Sequence, residues 1–279
     1  PDGIYENVFA TSKQIEKITS DRRVKGLTLT GSVGTGRILA ELAGRNLKKS
    51  VMELGGSDPA IVLDDADLEL ASKSIARARC FNTGQYCIAA KRVFVADRIY
   101  DDFMSLFLDE MKSYECGDPL ELGTKMGPLA RKDLRVNLDR QVKDSISKGA
   151  SLTLGGEIPE GIGYFYPATI LENINLDSPA FNQELFGPVA AVIKYKDDQE
   201  AISLANNSDY GLGASIYSAD KERALNLSTQ IEAGNVYINQ PVTSTPELPC
   251  GGIKNSGYGR EYGEEGIKEF VNIKTVWMK

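Results

Sequence analysis

The sequence predicts an α/β protein built on a largely parallel sheet. Three observations carry this. A β-rich run, Val24–Thr30 (VKGLTLT), leads into a glycine-rich turn, Gly31–Gly36. A helical-period segment then places Ile38, Leu39, Leu42 and Leu47 on one face, and a second short apolar run follows at Val51–Leu54. This alternation recurs to residue 239, as parallel strands joined by crossover helices require.

The elements follow in order. Gln14–Ser20 has helical composition, Val24–Thr30 reads as a strand and Gly31–Gly36 as a tight turn. Arg37–Leu47 reads as a helix and Val51–Leu54 as a strand. Asp64, Asp65 and Asp67 suit the positive end of a helix that runs to about Arg79 and delivers the chain to a polar loop at 82–87. Arg92–Val95 is a strand. Tyr100–Tyr114 and Lys132–Lys148 are amphipathic helices, the second stopped by Gly149. Leu152–Leu154, Tyr166–Leu171, Pro188–Tyr195, Ala214–Tyr217 and Asn235–Asn239 read as strands, with helices at Gln199–Asn206 and Lys221–Ile231. The run FVNIKTVWM, 270–278, has strand character after a glycine-rich stretch, which suits pairing with another subunit.

The 279 residues suffice for one large domain or two modest ones. With 42% hydrophobic and 25% charged residues the composition is that of a globular protein. A net charge of −7 argues against nucleic acid or an anionic membrane as the main partner. Cys80, Cys87, Cys116 and Cys250 form no CxxC pair, which points to free thiols in a reducing cytoplasm. With no histidine, a metal site is not expected. No apolar run reaches membrane-spanning length. The chain starts at Pro1, which reads as a fragment or a processed chain.

Cys87 closes the run Phe81-Asn82-Thr83-Gly84-Gln85-Tyr86-Cys87. A lone cysteine is commonly a small buried apolar group. The glycine and polar residues before it argue instead for a loop, where reactive groups concentrate. Without histidine, a cysteine nucleophile has no imidazole base, so a carboxylate must move the proton. Glu53 is the candidate: it ends an apolar strand, precedes Gly55-Gly56, and lies 34 residues before Cys87, room for one crossover helix. The turn at Gly31–Gly36 is either a tight βα connection or a phosphate-binding helix start; it is neither G-x-G-x-x-G nor a P-loop. Glu184-Leu185-Phe186-Gly187-Pro188 reads as an anchored turn. The Gly-rich, basic run from Cys250 to Glu261 is either a surface loop or a bridging segment.

Five separated motifs together resemble the aldehyde dehydrogenase superfamily. They are TGSxxxG from Thr30, ELGGxxP from Glu53, NTGQxC from Asn82, ELFGPV from Glu184 and GGxKxSGxGRE from Gly251, in that order along the chain. The runs LDDADLELA, GPVAAV and FVNIKTVW resemble most closely the succinate-semialdehyde dehydrogenase type.

The resemblance implies a nucleotide-binding remnant at residues 1–54, a catalytic α/β domain at 55–243 and a return segment with an oligomerisation strand at 244–279. It implies that the chain is a C-terminal portion, with the first Rossmann strands, a ribose-gripping Lys segment and an oxyanion-binding Asn lying before Pro1. It implies NAD or NADP as cofactor, an aldehyde substrate and a homodimer or homotetramer. By that likeness Cys87 is the nucleophile and Glu53 the base that activates water. Gly31 and Ser32 contact the pyrophosphate, Leu54 meets the nicotinamide amide through its backbone, Glu184 holds the nicotinamide ribose, and Phe186 packs beside it. Thr245 takes the place of a substrate-contacting hydroxyl. Two positions depart from the pattern: Cys250 stands where many members carry Phe, and Phe81 where some succinate-semialdehyde enzymes carry an Arg for the substrate carboxylate. Two readings compete with aldehyde oxidation: a truncated, inactive interaction fragment and a cofactor-free thiol esterase.

Overall fold

The structure, a computed structural model, describes residues 3–279. After α1 (Ser12–Ser20), the chain forms β1 (Gly26–Thr30), α2 (Val33–Arg45) and β2 (Lys49–Glu53). Next come β3 (Asp58–Val62), α3 (Leu68–Cys80), β4 (Ala90–Ala96), α4 (Tyr100–Lys112), α5 (Lys132–Ser147), β5 (Ser151–Leu154) and β6 (Thr169–Glu172). The short α6 (Pro179–Asn182) precedes β7 (Val189–Tyr195), α7 (Asp198–Asn206), β8 (Tyr210–Gly211), β9 (Gly213–Tyr217), α8 (Lys221–Ser228) and β10 (Asn235–Ile238). The chain ends with β11 (Ile253–Lys254), β12 (Gly257–Tyr258) and α9 (Gly263–Lys268).

Seven strands form the main sheet in the order β10-β9-β3-β4-β7-β6-β5. Every neighbouring pair is parallel except β5 with β6. Both faces of the central strands are buried. Ala60, Val62, Val93 and Val95 point into a core with α3 and α4, through Ile75, Phe103 and Phe107. Ile61, Leu63, Phe94 and Ala96 point the other way, onto Ala201 and Ile202 of α7 and Ala224 and Leu227 of α8. This two-sided burial explains the nearly unbroken apolar runs of β3 and β4.

The first βαβ unit stands apart from the main sheet. There β1 and β2 pair in parallel, and β12, arriving two hundred residues later, adds antiparallel to β2 with Gly257 opposite Glu53. The buried Ser256 fastens this join. Its carbonyl accepts from Leu54 N at 3.0 Å, its Oγ donates to Gly55 O at 2.7 Å, and Gly211 N donates to that Oγ at 3.1 Å.

Four sequence readings change. Helix α2 begins at Val33, so the expected turn is helix from Val33 to Gly36: Ser32 caps it by accepting from Thr35 N at 3.2 Å, which satisfies an otherwise orphaned first-turn donor. Strand β3 was not expected, because Pro59 sits inside it, and proline removes a ladder donor. The ladder accommodates it with a register shift between Asp58 and Pro59. The helix expected to reach Ile231 stops at Ser228. The 270–278 run carries no ladder here: it leaves α9 as extended chain, with Phe270 packed over Gly26 and Lys49 Nζ donating to Val271 O at 2.9 Å.

Candidate active site

The loop that carries Cys87 is held in an unusual backbone shape. Asn82 and Thr83 have φ of 50° and 55°, and Gly84 has 70°, three left-handed residues in succession. A β-branched residue there is strained by roughly 1–3 kcal/mol, so its surroundings must impose it. They do. Buried Arg79 Nη2 donates to Gly84 O at 2.8 Å, and Thr83 Oγ1 donates to Gly127 O at 3.1 Å. Ala130 N donates to Gln85 Oε1 at 2.8 Å. Gly84 is pressed against Gly187, whose carbonyl carbon would lie 2.3 Å from any added Cβ. The motifs at 82–87 and 184–189 are thus one packed unit.

Behind Cys87 lies a buried ionic layer. Lys91, 1% exposed, donates from Nζ to Cys87 O at 2.7 Å and Tyr86 O at 3.1 Å, and stands 3.6 Å from Glu184 Oε1. Arg92 donates to Ser57 O, Leu204 O and Ala205 O, each at 3.0 Å; the last two are carbonyls near the C-terminus of α7. Buried Asp58 accepts from Gly213 N at 3.1 Å, and desolvation raises its pKa to about 7 against the pull of Lys91. The sequence reading missed Lys91, Arg92 and Asp58. A signal was available, since two adjacent cations open the otherwise apolar AKRVFVA strand.

Cys87 is a half-buried free thiol. Burial pushes its pKa up to about 11, while the Lys91 cation and the Ile88 backbone N–H pull it down. Glu53 is 7% exposed and its Oε1 has no hydrogen-bond partner among the described residues. Desolvation, helped by Glu261, raises it to about 7, with Arg260 opposing. Gly251 leaves room for this carboxylate: a Cβ there would come within 2.8 Å of Glu53 Oε1. Cys250 feels the charge of Glu53, and Tyr86 feels both Cys87 and Cys250. Cys250 and Tyr86 thus lie within electrostatic reach of Glu53 and of Cys87 respectively. Gly56 abuts the Cys87 carbonyl, with 2.7 Å to an added Cβ.

The remaining expected residues fall into two groups. Gly31 N donates to Glu53 O at 2.9 Å, which ties the first turn to the end of β2. Gly31 and Ser32 are exposed at the start of the thirteen-residue α2, and a Cβ on Gly34 would meet nothing within 4 Å. That open helix start fits a phosphate group. Leu54 packs over Gly36 of α2, and Glu184 Oε1 accepts from Gly56 N at 3.1 Å. Phe186 is half-buried beside Leu185. Thr245 is not drawn in the same way. Its hydroxyl makes no hydrogen bond among the described residues, whereas the neighbouring Ser244 Oγ lies 3.7 Å from Cys250 Sγ. The described residues hold no metal-binding cluster and no helix long and apolar enough to cross a membrane.

Fold and site define a class: an α/β protein with a half-buried thiol, a buried carboxylate raised to about pKa 7 and an open helix start. The chain belongs to the aldehyde dehydrogenase family, whose model matches residues 1–276. It is 47% identical to an aldehyde dehydrogenase of Paenarthrobacter nicotinovorans, over 99% of this chain and 60% of that one. It is 46% identical to the NADP(+) succinate-semialdehyde dehydrogenase of Deinococcus radiodurans, over 99% of this chain and 58% of that one. The succinic semialdehyde dehydrogenase of Streptococcus pyogenes, solved with NADP+, superposes with a TM-score of 0.95 at 42% identity, covering 98% of this chain and 60% of that one. The chain spans about 60% of the length of these relatives.

Proposed function

We propose that this chain carries the thiol half of an NAD(P)-dependent aldehyde oxidation, with succinate semialdehyde as the substrate. The observation that carries the reading is the buried Glu53 carboxylate with a pKa of about 7, in a chain whose Cys87 is a half-buried free thiol. The names of the relatives, two of them succinate-semialdehyde dehydrogenases and one solved with NADP+, support the substrate and the cofactor.

In this reading the Cys87 thiolate attacks the aldehyde carbon, forming a carbon–sulfur bond and an alkoxide that the Cys87 backbone N–H stabilises. Collapse of the alkoxide expels hydride, for which the bound nicotinamide supplies the acceptor, and leaves a thioester on Cys87. Glu53 takes a proton from water, which attacks the thioester; the acid leaves and the thiolate is restored. A carboxyl near pKa 7 is half ionised at neutral pH and suits that proton transfer. The α2 start with Gly31 and Ser32 holds the pyrophosphate, and Glu184, Leu54 and Phe186 orient the nicotinamide ribose and ring. Thr245 is retained as a substrate-contacting hydroxyl. A cytoplasmic homodimer or homotetramer, with the 270–278 tail in the subunit contact, completes the proposal.

The test is reduced-nicotinamide absorbance with succinate semialdehyde and NAD+ or NADP+ in parallel, with Cys87→Ala as the blank. A Cys87-dependent rise is expected. A folded chain giving no rise with either cofactor overturns the proposal for this chain, and ester hydrolysis without a rise would replace it with a thiol esterase.

A further inference from the structure

A cavity of about 310 Å³ opens beside the Cys87 loop. Phe81, Tyr86, Ile88, Pro241 and Val242 make its apolar walls, and Arg77 is the only charged residue lining it. Tyr86 and Ile88 flank Cys87 in the chain, which puts the cavity beside that residue. Arg77 stands in the last turn of α3, and Phe81 caps the C-terminal end of that helix. Phe81 and Tyr86 meet edge-to-face with ring centroids 5.7 Å apart, so two of the cavity's walls brace each other. Among the described residues no carboxylate pairs with Arg77.

Behind Cys87, the Lys91 cation is already engaged by Cys87 O, Tyr86 O and Glu184, and Asp58 and Glu184 add negative charge there. An aldehyde with an anionic far end that enters by the cavity meets one cation on its walls, Arg77. We propose that Arg77 binds the remote carboxylate of the substrate, so that this helix position performs the task for which Phe81 has no charge. The inference rests on the aldehyde-oxidation reading above and specifies how its substrate is chosen. Guanidinium suits this role because it stays charged and offers paired donors to a carboxylate.

The test separates this inference from that reading by using alkylation of Cys87, which needs no hydride acceptor. Cys87 is followed by peptide mass spectrometry with iodoacetate and with iodoacetamide, reagents that differ in one charge. In Arg77→Gln the iodoacetate-to-iodoacetamide rate ratio is expected to fall roughly tenfold, the effect of losing one charge-assisted hydrogen bond, and in Arg77→Lys to recover in large part. In the unaltered chain, succinate is expected to protect Cys87 from iodoacetamide while neutral butyramide does not. An unchanged ratio in Arg77→Gln, or equal protection by the two compounds, overturns the assignment. Absence of reduced-nicotinamide formation with every aldehyde, alongside a fallen ratio, would sink the oxidation reading and leave Arg77 as an anion site beside the thiol.

Discussion

Glu53, the proposed base, carries a cost to stability when ionised. Its pKa in the folded chain, about 7, lies above its ordinary 4.5 because the charged form is desolvated. The folded state therefore binds the proton more tightly than the unfolded state. The stability contributed is complete below the ordinary carboxylate range and is lost as pH climbs through 7. Glu53→Gln, which keeps the shape and drops the charge, is expected to be more stable than the unaltered chain near pH 8.5, by a few kcal/mol at most, and close to equal near pH 5. Urea unfolding at the two pH values checks this; a difference independent of pH would remove Glu53 from the account. The same variant is expected to keep Cys87 alkylation and lose thioester hydrolysis. Cys87, held near pKa 11, is expected to alkylate faster as pH rises well beyond 9, and Lys91→Met to move that profile upward by taking away the nearest cation. An unmoved profile would mean that Lys91 ties down the loop without acting on the thiol.

Ser256 is where two elements far apart in sequence become one. Ser256→Ala leaves Gly211 N without its acceptor and Gly55 O without its donor, both in a buried place, and is expected to cost roughly 1–3 kcal/mol in urea unfolding. Ser32→Ala removes the α2 cap at a cost of about 1 kcal/mol. A loss at Ser32 as large as that at Ser256 would contradict the view that buried hydrogen bonds, and not exposed caps, hold this join. The same elements mark how far sequence reasoning reaches. The βαβ opening, helices α3, α4, α5 and α7 and strands β4, β7 and β9 were legible because their apolar periods are regular. Glu53 and Cys87 stand out in the sequence because a histidine-free chain leaves a carboxylate as the candidate partner for a thiol. Strand β3 was hidden by Pro59, whose fit depends on a register shift that only the neighbouring strand reveals. The cation layer and Ser256 were hidden because their partners are backbone carbonyls and amides, which carry no residue signature.

At the scale of the whole molecule, the tail is one of the least enclosed parts among the described residues. Ile273, Val276, Trp277 and Met278 are all more than four-fifths exposed, beside the β1 edge that Phe270 touches. A row of exposed apolar groups along a strand edge invites a second copy. Sedimentation is expected to show association that grows with concentration and disappears when residues 270–279 are removed; a monomer in both cases would mean the tail contacts nothing of its own kind. The late arrival of β12 has a consequence for the order of events on the ribosome. Gly251, Arg260 and Glu261, the neighbours that set Glu53's environment, emerge about two hundred residues after Glu53 itself. Once Gly187 has emerged the Cys87 loop can close, before the residues that set Glu53's surroundings exist. The order of synthesis thus completes the thiol's loop ahead of the carboxylate's environment.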